Sequence, residues 1–155
     1  MKDPFWLRFK RNCTRADDLI SYFGLRVPPV DPYEIARLIG LEVQEVPSPG
    51  WAGALQSDTT RAVAWLDKGE HPIRRRFTLA HEIGHLFLHA TGETFRDVSF
   101  AGSIQERQAN HFAVELLLPF WMLQPIADEI GHDVERLCDI FGVSLQAMRN
   151  RLVYC

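Results

Sequence analysis

The stretch from Arg76 to His89 constrains this chain most, because it is apolar around almost the whole circumference of a predicted helix. A helix without a wide polar face is typical of a protein core. Four ionisable side chains nevertheless lie in the stretch, namely His81, Glu82, His85 and His89. Burying such groups is costly unless they are paired or bind a metal ion. The stretch therefore predicts a buried helix that carries a polar site.

The spacing of these polar residues indicates a metal site. His81 and His85 are four residues apart, so both imidazoles project from one face of a helix and can bind a single ion. Glu82 lies beside this pair, where it can hold a water molecule. The pattern His-Glu-x-x-His is typical of zinc peptidases, in which the histidines bind Zn²⁺ and the glutamate is the general base. The alternative is a core helix whose histidines are merely hydrogen-bonded, and the apolar setting, interrupted only by Gly84, favours the metal site.

A catalytic zinc ion normally has three protein ligands and one open position, so the pair requires a third ligand. The candidates downstream are Glu93, Asp97, Glu106, His111 and Glu115. We expect Glu106, because this charged residue lies on the stripe of its predicted helix that must otherwise face the core. Asn110, four residues later on the same face, can orient a ligand from behind. Ser103-x-x-Glu106 is also the pattern of a capping box, and only the need for a third ligand favours coordination over that alternative.

His89 is predicted to support the site rather than to bind the metal. It lies eight residues after His81, about 12 Å further along a helix axis, so the two cannot easily share one ion with His85. We expect a hydrogen-bonded histidine in the second layer behind the ligands. His111 points off the inward stripe, either towards the cleft as an oxyanion donor or into solvent.

The periodicities of the whole chain predict an α+β fold. We expect a small three-stranded, mainly antiparallel sheet packed on the zincin active-site helix, with a helical C-terminal part that resembles a helix-turn-helix. Strands are predicted at 41–46, 51–56 and 61–66, the last two as a hairpin. Helices are predicted at 13–25, from Asp31 to Gly40, from Ser103 to Pro119, at 120–130 with a disturbance at Pro125, at 133–141 and at 144–153.

Two further segments flank the predicted site. Residues 93–102 are expected to form a loop that shapes access to the cleft. Arg74, Arg75 and Arg76 are expected to form a solvated face that pairs with Asp67 or Glu70. A role of these arginines in binding an acidic substrate is the alternative.

Length, charge and cysteine content narrow the class of protein. The 155 residues suit a single domain, 1–155, with a catalytic core at 1–119 and a helical C-terminal subdomain at 120–155. A net charge of −3 gives no general attraction to nucleic acid or acidic membranes, and no apolar run is long enough to span a bilayer. The N-terminus lacks the apolar core of a signal peptide, and the three cysteines form no disulfide framework. We therefore expect a cytoplasmic protein without a membrane partner, and the sequence leaves the oligomeric state open.

Two extended motifs resemble those of the ImmA/IrrE metallopeptidases. They are Arg76-Phe77-Thr78-Leu79-Ala80-His81-Glu82-Ile83-Gly84-His85-Leu86-x-Leu88-His89 and Glu106-x-x-Ala109-Asn110-x-Phe112-Ala113-x-x-Leu116-Leu117-x-Pro119. The resemblance implies that His81, His85 and Glu106 bind the metal and that Glu82 is the catalytic base. The implied metal is Zn²⁺, with Mn²⁺ as an alternative. Gln108 stands where the family commonly has an acidic residue, but it is not a motif ligand.

The same resemblance implies a biological role. Members of this family are bacterial and phage peptidases that cleave a helix-turn-helix repressor of the Xre type and so release stress or mobile-element genes. The expected partner is therefore a protein substrate, presented as an extended segment added to an edge of the small sheet. The chain stops at Cys155, so we expect no additional sensor-like domain.

The C-terminal residues offer a rival function. Residues 137–152 have the apolar positions, the short glycine turn and the serine cap of a helix-turn-helix, so a DNA-binding regulator is the second hypothesis. The second helix of this pair carries only Arg149 and Arg151 as cations, which is few for phosphate contacts, and we expect no direct binding of nucleic acid. A third hypothesis is a metal-binding but inactive interaction protein, such as a toxin.

Overall fold

The computed structural model of the chain describes residues 3–47, 50–89, 94–97 and 103–153, with the backbone alone for 94–97. These ranges form an α+β fold of eight helices and one sheet of four strands. The helices are α1 (Phe5–Lys10), α2 (Ala16–Tyr22), α3 (Pro32–Ile39), α4 (Pro72–Leu88), α5 (Ile104–Leu117), α6 (Phe120–Ile130), α7 (Val134–Phe141) and α8 (Leu145–Leu152). The strands are β1 (Glu42–Val46), β2 (Gly53–Ser57), β3 (Ala62–Asp67) and β4 (Thr94–Asp97).

The sheet contains the three predicted strands and one more. The strand order is β1-β3-β2-β4, with β1 parallel to β3 and the other two pairings antiparallel. β2 and β3 form the predicted hairpin. The predicted loop is wrong for residues 94–97, which form β4, whereas residues 93 and 98–102 lie outside the described residues. A strand of four residues is too short to show an alternating pattern, so its pairing with β2 could not be inferred from the sequence.

Helix α4 is the predicted central helix, and it packs against β2, β3 and α5. It begins four residues before the predicted stretch, at Pro72, which suits the first turn of a helix. The ring Nδ1 of the N-cap residue His71 accepts from the N–H of Ile73 at 3.2 Å. Every residue from Thr78 to Phe87 is buried. The polar residues of this segment therefore lie inside the protein, as the apolar surroundings predicted.

Lys10 holds the C-terminal end of α4. Its ammonium group donates to the backbone carbonyl oxygens of Leu86 and His89. A cation at this end of a helix interacts favourably with the helix dipole. Burial lowers the pKa of Lys10. Helix α1, which no pattern predicted, thus positions the end of the helix that carries the histidines.

Arg75 and Arg76 do not lie on the predicted solvated face. Arg74 is exposed, as predicted. Arg75 donates to the carboxylate of Glu45 at 2.8 Å and to the backbone carbonyl of the predicted partner Glu70 at 3.1 Å. Arg76 is half-buried and donates to the carbonyl oxygens of Val30 at 2.8 Å and Gly142 at 3.1 Å. Its burial lowers the pKa of the guanidinium group. Arg76 therefore links α4 to the turn between α7 and α8, a contact between residues far apart in sequence.

The C-terminal helices keep the predicted bounds to within one residue. Helix α6 continues through Pro125, although a disturbance was expected there because proline removes one backbone donor. Gly142, with a φ of 68°, forms the turn between α7 and α8, and the hydroxyl of Ser144 accepts from the N–H of Ala147 at 3.2 Å. A DNA-binding role for this helix pair stays a prediction. No described helix combines the length and apolar character that a membrane crossing needs.

Candidate metal centre

Helices α4 and α5 bring three potential metal ligands together. The Nε2 atoms of His81 and His85 lie 3.1 Å apart. One carboxylate oxygen of Glu106, Oε2, lies 3.0 Å from Nε2 of His81, and the other, Oε1, lies 2.9 Å from Nε2 of His85. Both histidines are buried, and the glutamate side chain is 16% exposed. The structure thus places the predicted trio His81, His85 and Glu106 at one point.

The geometry and chemistry of these donors fit a zinc ion. A tetrahedral site with bonds of about 2.0–2.1 Å separates its ligand atoms by about 3.3 Å, close to the spacing observed here. Two imidazoles and one carboxylate are also the ligand types that a catalytic zinc site uses. All the candidate ligand atoms lie within 4.8 Å of one another.

Asn110 sets the orientation of His81. Its side-chain oxygen lies 2.8 Å from Nδ1 of His81. A neutral imidazole has one N–H and one lone pair, so when Nδ1 donates to Asn110, Nε2 keeps its lone pair for a metal. The structure places Asn110 where the sequence predicted a group that orients a ligand.

His89 contacts the second histidine in the same manner. Its Nδ1 lies 2.8 Å from Nδ1 of His85, and its Nε2 lies 2.9 Å from the side-chain oxygen of Gln108. His89 is 7% exposed and is the C-cap of α4, and its N–H donates to the carbonyl of His85 at 3.0 Å. Its position agrees with the predicted place behind the ligands. The contact with Gln108 could not be predicted, because the two residues lie on different helices.

Glu82 lies beside the trio and is completely buried. It faces β2, where a Cβ atom at Gly53 would lie 3.1 Å from the Glu82 carboxylate and 2.4 Å from a methyl group of Thr78. Real side chains do not approach as closely as the second distance, so β2 can pass this close to α4 only with glycine at position 53. The strand therefore forms one wall of the space around Glu82.

Gly84 likewise allows a neighbouring element to approach α4 closely, on the side of the helix opposite to Glu82. A Cβ atom there would lie 3.0 Å from Cβ of Phe112, 3.1 Å from the carbonyl oxygen of Ala109 and 3.2 Å from its Cα. The missing side chain allows α5 to approach α4 closely. This close approach lets Glu106, one turn earlier on α5, reach both histidines.

Glu106 forms the backbone hydrogen bond of the predicted capping box, but its carboxylate has another contact. The hydroxyl of Ser103 accepts from the backbone N–H of Glu106 at 3.2 Å, as an N-cap serine does. The carboxylate of Glu106 faces the two histidines at the distances given above. The residue thus combines a capped backbone with a side chain directed into the candidate metal site.

Among the other ligand candidates, the two whose side chains the structure describes, His111 and Glu115, do not join this cluster. His111 is 71% exposed in its side chain, and its Nε2 lies 3.1 Å from the carboxylate of Glu115. Both residues also line the groove described below, so His111 is exposed to solvent and borders the cleft at the same time. Glu93 lies outside the described residues, and Asp97 is described by its backbone only.

A groove begins beside the centre, and the C-terminal helices contribute to it as well as α4 and α5. It has a volume of about 1080 Å³, and Asn110 lines it as well as contacting His81. Its apolar walls come from α4, α5 and the C-terminal helices, with Phe77, Val114, Phe120, Val143 and Ala147 among the lining residues. Such a space depends on how the helices pack and leaves no local signal in the chain.

Comparisons with known proteins identify the family of this chain. The sequence profile of a family described as the IrrE N-terminal-like domain, Peptidase_M78, matches residues 36–153. Metallopeptidase ImmA of Bacillus subtilis is 34% identical over 95 residues, which cover 59% of this chain and 56% of that protein. The radiation response metalloprotease IrrE of Deinococcus radiodurans is 27% identical over 134 residues, which cover 81% of this chain and 40% of that protein.

A solved structure shares the fold. It is a transcriptional regulator of Mycobacterium tuberculosis, which superposes with a TM-score of 0.61 at 18% identity and covers 94% of this chain and 46% of its own. The chain thus spans about half the length, or less, of the proteins it matches. Because the family profile matches most of the chain, including the His-Glu-x-x-His helix and α5, the protein belongs to the ImmA/IrrE family of metallopeptidases.

Proposed function

We propose that this chain is a zinc-dependent endopeptidase that cleaves a helix-turn-helix repressor of the Xre type. The observation that carries the proposal is the convergence of His81, His85 and Glu106 beside the buried carboxylate of Glu82. Family membership supports a peptidase, and the resemblance of the two motifs supports a repressor as its substrate. Cleavage of such a repressor would release the genes that it controls.

His81, His85 and Glu106 would hold the metal through Nε2, Nε2 and the carboxylate. Bound Zn²⁺ supplies Lewis acidity, which lowers the pKa of water and polarises a peptide carbonyl. Imidazole ligands suit zinc, and a carboxylate also suits Mn²⁺, so manganese is the alternative metal. Asn110 and His89 would keep the two imidazoles in the orientation that presents Nε2 to the ion.

Glu82 would act as the general base and then as the general acid. Its carboxylate takes a proton from the attacking water and transfers that proton to the amine that leaves. Burial between α4 and Gly53 holds the carboxylate in place without competing bulk water. Its burial and its chemistry support Glu82 as the proton carrier in peptide hydrolysis.

The sheet offers an edge for the substrate next to this site. β2 packs against α4 and borders Glu82, and β4 is its outer neighbour. Within the described residues, no strand pairs with the outer edge of β4. An extended peptide added to β4 would gain main-chain hydrogen bonds and lie on the side of the sheet that carries the site. We therefore propose β4, rather than β1 at the far edge, as the docking strand.

The decisive experiment compares wild-type protein with Glu82→Gln on the repressor encoded beside this gene, with Zn²⁺ or Mn²⁺ added. We expect fragments from the wild type and at least about a 100-fold slower reaction from the variant, because general acid–base catalysis contributes about that much. Metal affinity should be unchanged, since Glu82 is not one of the converging donors. Gel electrophoresis and mass spectrometry would measure the fragments.

Glu129→Gln on the exposed side of α6 is the matched control and should cleave normally. Cleavage by Glu82→Gln at the wild-type rate would contradict the assignment of the base. A wild-type protein that binds metal and the repressor but never cuts it would instead favour the inactive interaction protein.

A further inference from the structure

We propose that Gln108 is a positioning residue that fixes the tautomer of His89 and, through it, directs the lone pair of His85 towards the metal. This inference rests on the proposed metal site. It adds the direction in which a series of hydrogen bonds behind the site runs. It also identifies Gln108, at the outer end of that series, as the residue that sets this direction.

The three side chains form a linear series. Nδ1 of His85 lies 2.8 Å from Nδ1 of His89, and Nε2 of His89 lies 2.9 Å from the side-chain oxygen of Gln108. Both histidines are buried, whereas Gln108 is exposed on α5. The series therefore leads from the candidate metal site to the surface of the protein.

The backbone of His89 is held independently of its ring. Its N–H donates to the carbonyl of His85, and its own carbonyl accepts from Lys10. The ring is thus kept at a fixed place between α4 and α5. What remains variable is the direction in which the hydrogen bonds of the series run.

Only two directions satisfy a series of neutral imidazoles, because each ring has one N–H and one lone pair. In the first, Nδ1–H of His85 donates to His89, Nε2–H of His89 donates to the oxygen of Gln108, and Nε2 of His85 keeps a lone pair for the metal. In the second, every bond is reversed: the Gln108 amide donates, and Nε2 of His85 carries a hydrogen that points at Glu106. The second direction satisfies Glu106 but prevents metal binding by His85.

The side chain at position 108 therefore selects the direction. Glutamine has both an oxygen and an NH₂ group, and here the oxygen faces Nε2 of His89 at 2.9 Å, which selects the first direction. A side chain that can only accept permits the metal-ready direction alone, and a side chain that can only donate permits the reverse. Position 108 thus controls the metal affinity of His85 from the protein surface.

The test measures Zn²⁺ affinity by competition with a chromogenic chelator for Gln108→Glu, Gln108→Leu and Gln108→Lys. Loss of a residue that hydrogen-bonds a metal ligand lowers metal affinity by about 10- to 100-fold, and Gln108 lies one hydrogen bond further out, so we take the lower end of this range. We expect about a tenfold loss for Gln108→Leu, at least that loss for Gln108→Lys, and an affinity equal to or above that of the wild type for Gln108→Glu.

Gln105→Glu and Gln105→Lys are matched controls, because Gln105 is an exposed residue of α5 and receives the same charges. The change in Zn²⁺ affinity of each position-105 variant is subtracted from that of the position-108 variant with the same charge. The difference is the contribution of hydrogen-bond direction. Unfolding of the metal-free variants should be nearly unchanged, which separates this role from a structural one.

Long-range ¹H–¹⁵N correlation spectra of the zinc-loaded wild type give a direct measurement of the tautomer. We expect the hydrogen of His89 on Nε2. A hydrogen on Nδ1 of His89, or equal zinc affinities for Gln108→Lys and Gln105→Lys, would overturn the inference while leaving the proposed metal site in place. A wild-type protein that binds no Zn²⁺ would overturn both.

Discussion

At the scale of single residues, Cys13 shows how burial changes the chemistry of a side chain. Cys13 is 1% exposed, and its thiol lies 3.6 Å from the carbonyl oxygen of Arg15. Burial, assisted by the negative charge of Asp18, raises the pKa of the thiol to about 12. The thiolate is the reactive form of cysteine, so a thiol that stays protonated at neutral pH is chemically inert.

This raised pKa predicts a loss of stability at alkaline pH. The unfolded thiol releases its proton near 9.0, whereas the folded thiol retains it up to about 12. The unfolded state therefore binds fewer protons between these values, so the free energy of unfolding falls as the pH rises through this window. Cys13→Ala should show a shallower fall than the wild type when urea unfolding is measured at intervals from pH 8 to pH 11. Identical slopes for the two proteins would contradict the assignment.

At the scale of elements, the contact between α4 and α5 determines whether the candidate site exists. His81 and His85 belong to α4, and Glu106 belongs to α5. The space normally filled by a side chain at position 84 is occupied by the backbone of Ala109 and by Phe112. The separation of the two helices is therefore set by a residue that is not itself a ligand.

Gly84→Ala should weaken both the fold and metal binding. In an exposed helix, this change stabilises by about 1 kcal/mol. Here the added methyl group must displace α5, and overpacking typically costs about 1–3 kcal/mol. We expect a lower midpoint of urea unfolding and weaker Zn²⁺ binding. Gly69→Ala, which adds a methyl group near the flexible end of Asp67, is the control. A Gly84→Ala protein that is more stable than the wild type would contradict this prediction, because it would show that α5 can move away without loss of stability.

The α7–α8 pair also bears on the rival DNA-binding function. Nε of Arg151 donates to the carbonyl oxygen of Leu118 at 2.9 Å, and its guanidinium lies 3.5 Å from the ring centroid of Phe120. The structure describes every residue of α8. Arg149 is therefore the exposed cation of this helix, and Arg151 is not available for phosphate contacts. Phosphate contacts depend on exposed cations, so this helix is less suited to DNA than its sequence suggested. Duplex binding measured over a range of salt concentrations would support the rival only if affinity fell with salt.

At the scale of the whole molecule, metal binding should be coupled to folding. The candidate ligands come from two helices and are separated by up to 25 residues, so an unfolded chain does not hold them together. A ligand that binds only the native state stabilises it by about 2.7 kcal/mol at 100 times its dissociation constant.

We therefore expect Zn²⁺ to raise the thermal midpoint by several degrees and EDTA to reverse the change. Glu106→Gln should lose most of this effect, and the surface variant Glu129→Gln should keep it. Differential scanning calorimetry with and without Zn²⁺ measures the shift. An unchanged midpoint for the wild type would argue against the metal site.

The His-Glu-x-x-His helix and most element bounds could be predicted because they depend on local patterns. Helical periodicity places His81 and His85 on one face, and an aspartate followed by proline marks the start of α3 at Asp31. The turn glycines Gly40 and Gly142 have positive φ values, which agrees with the predicted helix ends. These signals lie within a few residues of the features they determine.

Packing alone decided the features that join distant parts of the chain. The local pattern around Glu106 fits a capping box as well as a ligand, and the sequence favoured the ligand only because the two histidines need a third one. The position of the Glu106 carboxylate near both histidines depends on how α5 packs on α4. The pairing of β4, the half-buried position of Arg76 and the contact of His89 with Gln108 likewise depend on partners elsewhere in the chain. The hydrophobic periodicity of one segment carries no information about which distant residues it will contact. The sequence by itself therefore determined which helix presents the histidines, whereas the tertiary structure decided which residues meet them.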